Sequence, residues 1–153
     1  MAFKVYLAGE IHSDWRDAIR ALADRAGLDI EFTSPVTDHA ASDEAAERTI
    51  GHELLGEEPT GWVRDHASAK VNAIRTRHHI RNADLVMVRF AGKYREWNAA
   101  LDAGQAVALG KPLVVLHDPE LTHALKEVDA AALAVAQTPE QAVKVLEYVL
   151  VQG

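Results

Sequence analysis

The chain has 153 residues, 48% of them apolar and 25% charged, with 16 Lys and Arg against 23 Asp and Glu for a formal charge of −7. That length fits one domain with a substantial core, residues 1–153, and that charge disfavours nonspecific binding to nucleic acid polymers or to an anionic membrane. There is no cysteine, which excludes disulfides and thiolate chemistry. The first residues turn polar too quickly for a signal peptide, and no apolar run reaches membrane-spanning length, so a soluble cytoplasmic protein is expected.

Phe3 to Ala8 reads as a first strand, broken by Gly9. Ser13 or Asp14 then caps a helix that turns Trp15, Ile19, Leu22 and Ala23 inward and stops at Gly27. Leu28 to Phe32 is a second short strand. From Ser34 to about Trp62 the chain is polar and rich in Pro, Gly and acids, with a short helix expected within Ala45 to Leu55. Such a stretch in a compact domain suggests a lid or binding loop. Asp65 to Asn82 reads as a helix facing inward through Val71, Ile74, His78 and Arg81, followed by a third strand from Leu85 to Phe90.

The next block is the most regular. Ala99, Ala103 and Ala106, with Val107 beside them, form one buried face of a helix over Asn98–Leu109. Gly110 ends it, Lys111 complements its negative end, and Pro112 forbids its continuation. Leu113 to Leu116 is a strand buried on both faces, Ala131 to Ala136 a last strand, and Pro139 to Leu150 a terminal helix capped by Thr138. Strands alternating with helices give an α/β fold: a three-layer α/β/α sandwich around a Rossmann- or flavodoxin-like parallel sheet of about five strands.

In such a sheet the mouths after the first three strands share one edge, the place where α/β proteins bind ligands. That edge gathers Gly9, Glu10, His12, Ser34, Pro35, Gly92, Tyr94, Glu96, Trp97, Asn98 and Asp102. Asp102, early in its helix, is favoured as an ionised carboxylate and serves either as a nucleophile or as an ordinary helix-start acid. Tyr6 reads as a packed tyrosine whose hydroxyl points toward the same end, and His12 as a loop residue able to move protons near neutrality. Trp97 is placed to stack on a flat ligand ring or to pack against a neighbouring subunit. Lys70, Arg75, Arg77, His78, His79 and Arg81 form a basic cluster, a solvated helix face or, at Arg75, a contact for a ligand phosphate. There is no dinucleotide fingerprint and no phosphate loop, and no set of metal ligands, so no cofactor and no metal are expected.

Tyr6-Leu7-Ala8-Gly9 closing the first strand, Ala83-Asp84-Leu85-Val86-Met87-Val88 on the third, and Asp102-Ala103-Gly104 leading to Gly110-Lys111-Pro112 resemble the nucleoside 2-deoxyribosyltransferase fold. More narrowly, Tyr6 to Ser13, Lys93-Tyr94, Trp97-Asn98 and Asp102-Ala103 are similar to its YtoQ branch. The resemblance implies an enzyme that cleaves the N-glycosidic bond of a nucleoside or nucleotide by double displacement through a carboxylate nucleophile. Asp102 falls at the nucleophile's position, Glu96 at that of a second acid, and Thr76 near that of a base-contacting acid. Tyr6 would orient the nucleophile, while Gly9, Glu10, His12, Arg75, Trp97 and Asn98 would hold the substrate. A homo-oligomer, dimer or larger, is expected, since neighbours in this superfamily close each other's sites. Two other readings use the same residues: a noncatalytic module that binds a nucleotide-derived ligand, and an assembly partner with a vestigial pocket.

Overall fold

The computed structural model describes residues 1–51, 53, 55–56, 60–93 and 95–151. In chain order these form β1 (Phe3–Gly9), α1 (Trp15–Arg25), β2 (Ile30–Thr33), α2 (His39–Asp43), α3 (Ala45–Ile50), α4 (Gly61–Asn82) and β3 (Leu85–Arg89). There follow α5 (Trp97–Ala108), β4 (Leu113–Leu116), a 3₁₀ turn (Pro119–Leu121), α6 (Lys126–Ala131), β5 (Ala134–Ala136) and α7 (Pro139–Val151). The five strands make one parallel sheet in the order β2-β1-β3-β4-β5. Helices cover both faces, so the expected three-layer α/β architecture is the one observed.

Alternation along each strand sorts its side chains between two cores. Val5, Leu7, Met87 and Leu116 pack with Trp15, Ile19 and Leu146 from α1 and α7. Tyr6, Ala8, Val86, Val88 and Val115 pack with Ile80 from α4 and with Ala99, Ala103 and Ala106 from α5. The alanines let α5 approach the sheet closely. Two helices end in Schellman motifs. Gly27 (φ 69°) and Gly110 (φ 67°) take the left-handed conformation, and Leu28 N–H and Lys111 N–H return to the carbonyls of Ala23 and Ala106. No helix among the described residues is long and apolar enough to cross a membrane.

Several expectations are corrected. α4 starts at Gly61, capped by the Thr60 hydroxyl, and its inward face is another one: Ile74 is 73% exposed and His78 is exposed, whereas Ser68 and Ile80 are buried. Thr76 and Asn72 lie four and eight residues before Ile80 and share its side of the helix; Ile74 and His78 do not. Val107 is 43% exposed, at the margin of the α5 stripe. Neither Ser13 nor Asp14 caps α1 with its side chain, because Ser13 bonds the Glu10 carboxylate instead. The Lys111 ammonium donates to Ala83 O, 2.8 Å away at the C-terminal end of α4. α6 occupies residues through Ala131, so β5 is shorter than expected. The polar stretch after β2 folds into α2 and α3 before residues that lie outside the description, Leu54 and Pro59 among them.

Candidate active site

A cavity of about 790 Å³ opens at the C-terminal ends of β1 and β3, walled by the β1–α1 loop, by α4 and α5, and by α2. The β1–α1 loop is built to hold one shape. Gly9 has φ 103°, and a Cβ there would lie 2.0 Å from Arg89 O on the neighbouring strand, so the close approach of the strands requires glycine. Glu10 N–H then donates to that same Arg89 oxygen at 3.0 Å. Arg16, 5% exposed, donates to the carbonyls of Leu7 (3.0 Å), Gly9 (3.0 Å) and Glu10 (2.5 Å), and stacks over Trp15, whose indole N–H also reaches Glu10 O at 2.8 Å. Burial is the main reason the Arg16 guanidinium is lowered to about 10, with Glu10 opposing. The Glu10 carboxylate folds back on its own loop, accepting from His12 N–H, from Ser13 N–H (2.9 Å) and from the Ser13 hydroxyl. Burial pushes Glu10 up, but these bonds and the Arg89 charge outweigh it and hold the carboxyl below its usual range.

The opposite wall is α5. Asp102 lies in its second turn, half-buried, and no hydrogen-bond donor among the described residues reaches its carboxylate in the geometry found; burial carries it from 3.8 to about 7. Glu96, at the N-cap position, does not cap the helix; its Oε2 accepts from Ala91 N–H at 3.3 Å, while Oε1 is buried with no hydrogen-bond partner among the described residues. Burial raises the Glu96 carboxyl as well, against the Ala91 bond. Beneath the cavity Tyr6 is fully buried, its hydroxyl 3.5 Å from Thr76 Oγ1 and its ring stacked on His79. Burial first and the charge of Asp102 second push that phenol to about 12. On α4, Arg75 donates to Ser34 O at 2.7 Å and lines the cavity with Thr76 and Lys70.

A family profile described as "Nucleoside 2-deoxyribosyltransferase YtoQ" matches residues 6–150. The chain belongs to this family. It is 40% identical over 148 residues, 97% of each chain, to a Bacillus subtilis (strain 168) protein named "Uncharacterized protein YtoQ". Among solved structures, a conserved protein from Enterococcus faecalis V583 superposes with a TM-score of 0.62 at 17% identity, covering 98% of this chain and 100% of that one. A 2-deoxyribosyltransferase from Bacillus psychrosaccharolyticus gives 0.52 at 16% identity, covering 91% and 89%. At such identities the likeness is one of fold, and it agrees with the fold the YtoQ resemblance implied.

Of the residues singled out in the sequence, Gly9, Glu10, His12, Arg75, Glu96, Trp97, Asn98 and Asp102 all line this one cavity. Tyr6 lies beneath it, and Tyr94 is outside the described residues. Glu10 faces the cavity with its oxygens already engaged, which makes it an organiser of the loop. The basic cluster divides: Lys70 and Arg75 reach the wall, whereas Arg77, His78 and Arg81 are exposed elsewhere on α4. His117, whose ring meets Asp118 O (2.7 Å) and the Asp129 carboxylate (3.0 Å), belongs to the packing of β4 against α6. No group of three or more His, Asp or Glu among the described residues is arranged to hold a metal. Sequence reasoning passed over Arg16 and Gln105. Arg16 stands beside Trp15 at the start of an amphipathic helix, where an arginine ordinarily reaches solvent, and nothing local marks it as buried. Gln105 sits one turn beyond Asp102, a spacing that places both on one side of α5 and was the available signal.

Proposed function

We propose that the chain is an enzyme acting on the N-glycosidic bond of a nucleoside or nucleotide, by transfer or hydrolysis, with Asp102 as nucleophile. The observation that carries this reading is the Asp102 carboxyl itself, half-buried on the wall of a cavity with room for a nucleoside and free of any ion pair among the described residues. Membership of the family supports it.

In the first half-reaction an Asp102 oxygen attacks the anomeric carbon, the C–N bond breaks, and its electron pair leaves on the base nitrogen. Glu96, whose carboxyl burial raises, gives that nitrogen a proton. In the second, water or another base attacks the same carbon, expels the Asp102 carboxylate and returns a proton to Glu96. Trp97, at the cavity mouth and 73% exposed, stacks on the base, with Asn98 and His12 beside it. Tyr6 and Thr76 form the floor under Asp102, and the neutral phenol keeps a polar group near the carboxylate without adding charge. Exposed Trp97 and Leu101 beside the mouth also support assembly with a second copy; a monomeric mass by light scattering at micromolar concentration would refute that part.

Intact-protein mass spectrometry after incubation with a pool of nucleosides and nucleoside monophosphates tests the reading. The expected result is a mass gain of one ribosyl or deoxyribosyl unit, absent from Asp102→Ala. Retained ligand binding with no adduct and no released base would replace the enzyme by a binding module.

A further inference from the structure

Buried side-chain oxygens without a donor are rare in folded proteins, and each requires an explanation. Three buried side-chain polar atoms here have no hydrogen-bond partner among the described residues: Arg89 Nε, Glu96 Oε1 and Gln105 Oε1. Of these, Arg89 Nε is a donor. The remaining two are acceptors. Both belong to α5 or its cap, both residues line the cavity, and they flank Asp102, Glu96 six residues before it and Gln105 three after.

From this arrangement we infer that Gln105 is a specificity-determining residue that accepts a hydrogen bond from a free hydroxyl of the ligand's sugar. The inference rests on the proposed N-glycosidic chemistry, which fixes the anomeric carbon at Asp102 and the base toward Trp97. Gln105 lies about 4.5 Å beyond Asp102 along the helix axis and about 12 Å beyond Trp97, so the sugar ring falls on its side. The terminal torsion of a glutamine is a soft, nearly two-fold rotor, which turns the amide oxygen onto a donor entering the cavity. A hydroxyl supplies that donor. A phosphate ester does not, since its oxygens accept, and it would bring negative charge beside Asp102 and Glu96. Of the cations on the cavity wall, Arg75 already donates to Ser34 O.

The test is a double-mutant cycle between protein and ligand, by titration calorimetry in an Asp102→Asn background so that no ligand is consumed. Adenosine, guanosine, cytidine and uridine are titrated first. For the base that binds, its 2′-deoxy, 3′-deoxy and 5′-deoxy forms follow, each against the parent background, Gln105→Leu and Gln105→Glu. We expect loss of one particular hydroxyl to weaken binding roughly tenfold in the parent and less than about twofold in Gln105→Leu, because a site built to bond a hydroxyl is left unpaired without it. Gln105→Glu, which keeps an acceptor, retains the parent pattern. If every hydroxyl deletion costs the same with Gln105 and with Leu, the assignment to Gln105 is overturned while the N-glycosidic reading stands. If neither these nucleosides nor their 5′-monophosphates bind any of the proteins, that reading falls and this inference falls with it.

Discussion

Replacing Asp102 by Asn tests the electrostatics of the site without needing a substrate. The Asp102 carboxyl has no neutralising partner among the described residues, and burial carries it from 3.8 to about 7. Folded Asp102 therefore holds its proton more tightly than the unfolded chain does. The contribution of Asp102 to stability is greatest below 3.8, where both states are protonated, and declines as pH rises toward about 7. Above that point the folded protein carries a charge that water would solvate better, at an upper value of about 4 kcal/mol from about 1.4 kcal/mol per pH unit. Asparagine fills the same space and never ionises. The variant should thus match the parent near pH 3, exceed it by roughly 2 kcal/mol near pH 5.5, and by up to roughly 4 kcal/mol near pH 8.5. Urea denaturation across that range reads the difference directly, and in melting temperature it corresponds to on the order of 10 °C at the alkaline end. A difference that does not grow with pH would refute the reasoning, because it would mean that Asp102 ionises in the folded state as it does in water.

The same ionisation bears on catalysis. Since the Asp102 carboxylate attacks while Glu96 must still hold its proton, the test uses Glu96→Gln, which removes the acid's falling limb. Its single-turnover glycosyl transfer should rise with pH through about 7, and a rate flat from about pH 5 to 8 in that variant would remove Asp102 as nucleophile. Gly9→Ala should lose more than about 3 kcal/mol of stability or fail to fold, since its Cβ would stand 2.0 Å from Arg89 O; a denaturation midpoint near the parent's would contradict the close approach. Arg16→Met should lose about 2–3 kcal/mol in the same assay by stranding the carbonyls of Leu7 and Gly9, and Arg16→Lys should recover only part of it, because one ammonium does not reproduce the fork. Ile80→Ala should cost about 2–5 kcal/mol and Ile74→Ser less than about 0.5 kcal/mol; the reverse order would show that α4 faces the sheet the other way.

The parallel sheet is readable in the sequence because β1, β3 and β4 are buried on both faces, so each is a short continuous apolar run. Gly27 and Gly110 mark helix ends for an equally local reason, their left-handed conformation. α4 misleads because its inward face is not uniformly apolar. Near Ile80 it meets the sheet core, but Thr76, Asn72 and Ser68 face the cavity and the α2–α3 segment: Ser68 Oγ donates to Asp43 O at 2.6 Å and accepts from Ala46 N–H, and Asn72 donates to Ser42 O at 3.1 Å. A periodicity rule that equates inward with apolar selects Ile74 instead. Arg16 is hidden for a related reason. Its three acceptors are backbone carbonyls of a preceding strand and loop, and backbone leaves no signature in a side-chain pattern.

The gathering of Glu10 and Asp102 into one cavity was legible in the sequence; their division of roles was not. Both are carboxylates that burial pushes upward, and what separates them is donors. Glu10 receives two backbone N–H groups and a hydroxyl, enough to reverse the effect of burial and keep it ionised as part of the loop. Asp102 receives none from the described residues, and it titrates near neutrality. A carboxylate already saturated with hydrogen bonds is a poor nucleophile, because it must break them to attack. One that is desolvated and unbonded has no such cost, and its basicity is higher. Placing donors is a matter of loop geometry: here Arg16 binds the carbonyls of Leu7, Gly9 and Glu10 in the same loop whose His12 and Ser13 N–H groups donate to the Glu10 carboxylate. Exchanging the acid at position 10 should therefore disturb the loop before it disturbs any chemistry: Glu10→Gln, which accepts with only one oxygen, should lose stability while leaving the upward displacement of Asp102 in place, as titration of the Asp102 carboxyl carbon by NMR would read. A fall of Asp102 toward 3.8 in that variant would mean that the charge on Glu10, rather than burial, had been holding it up.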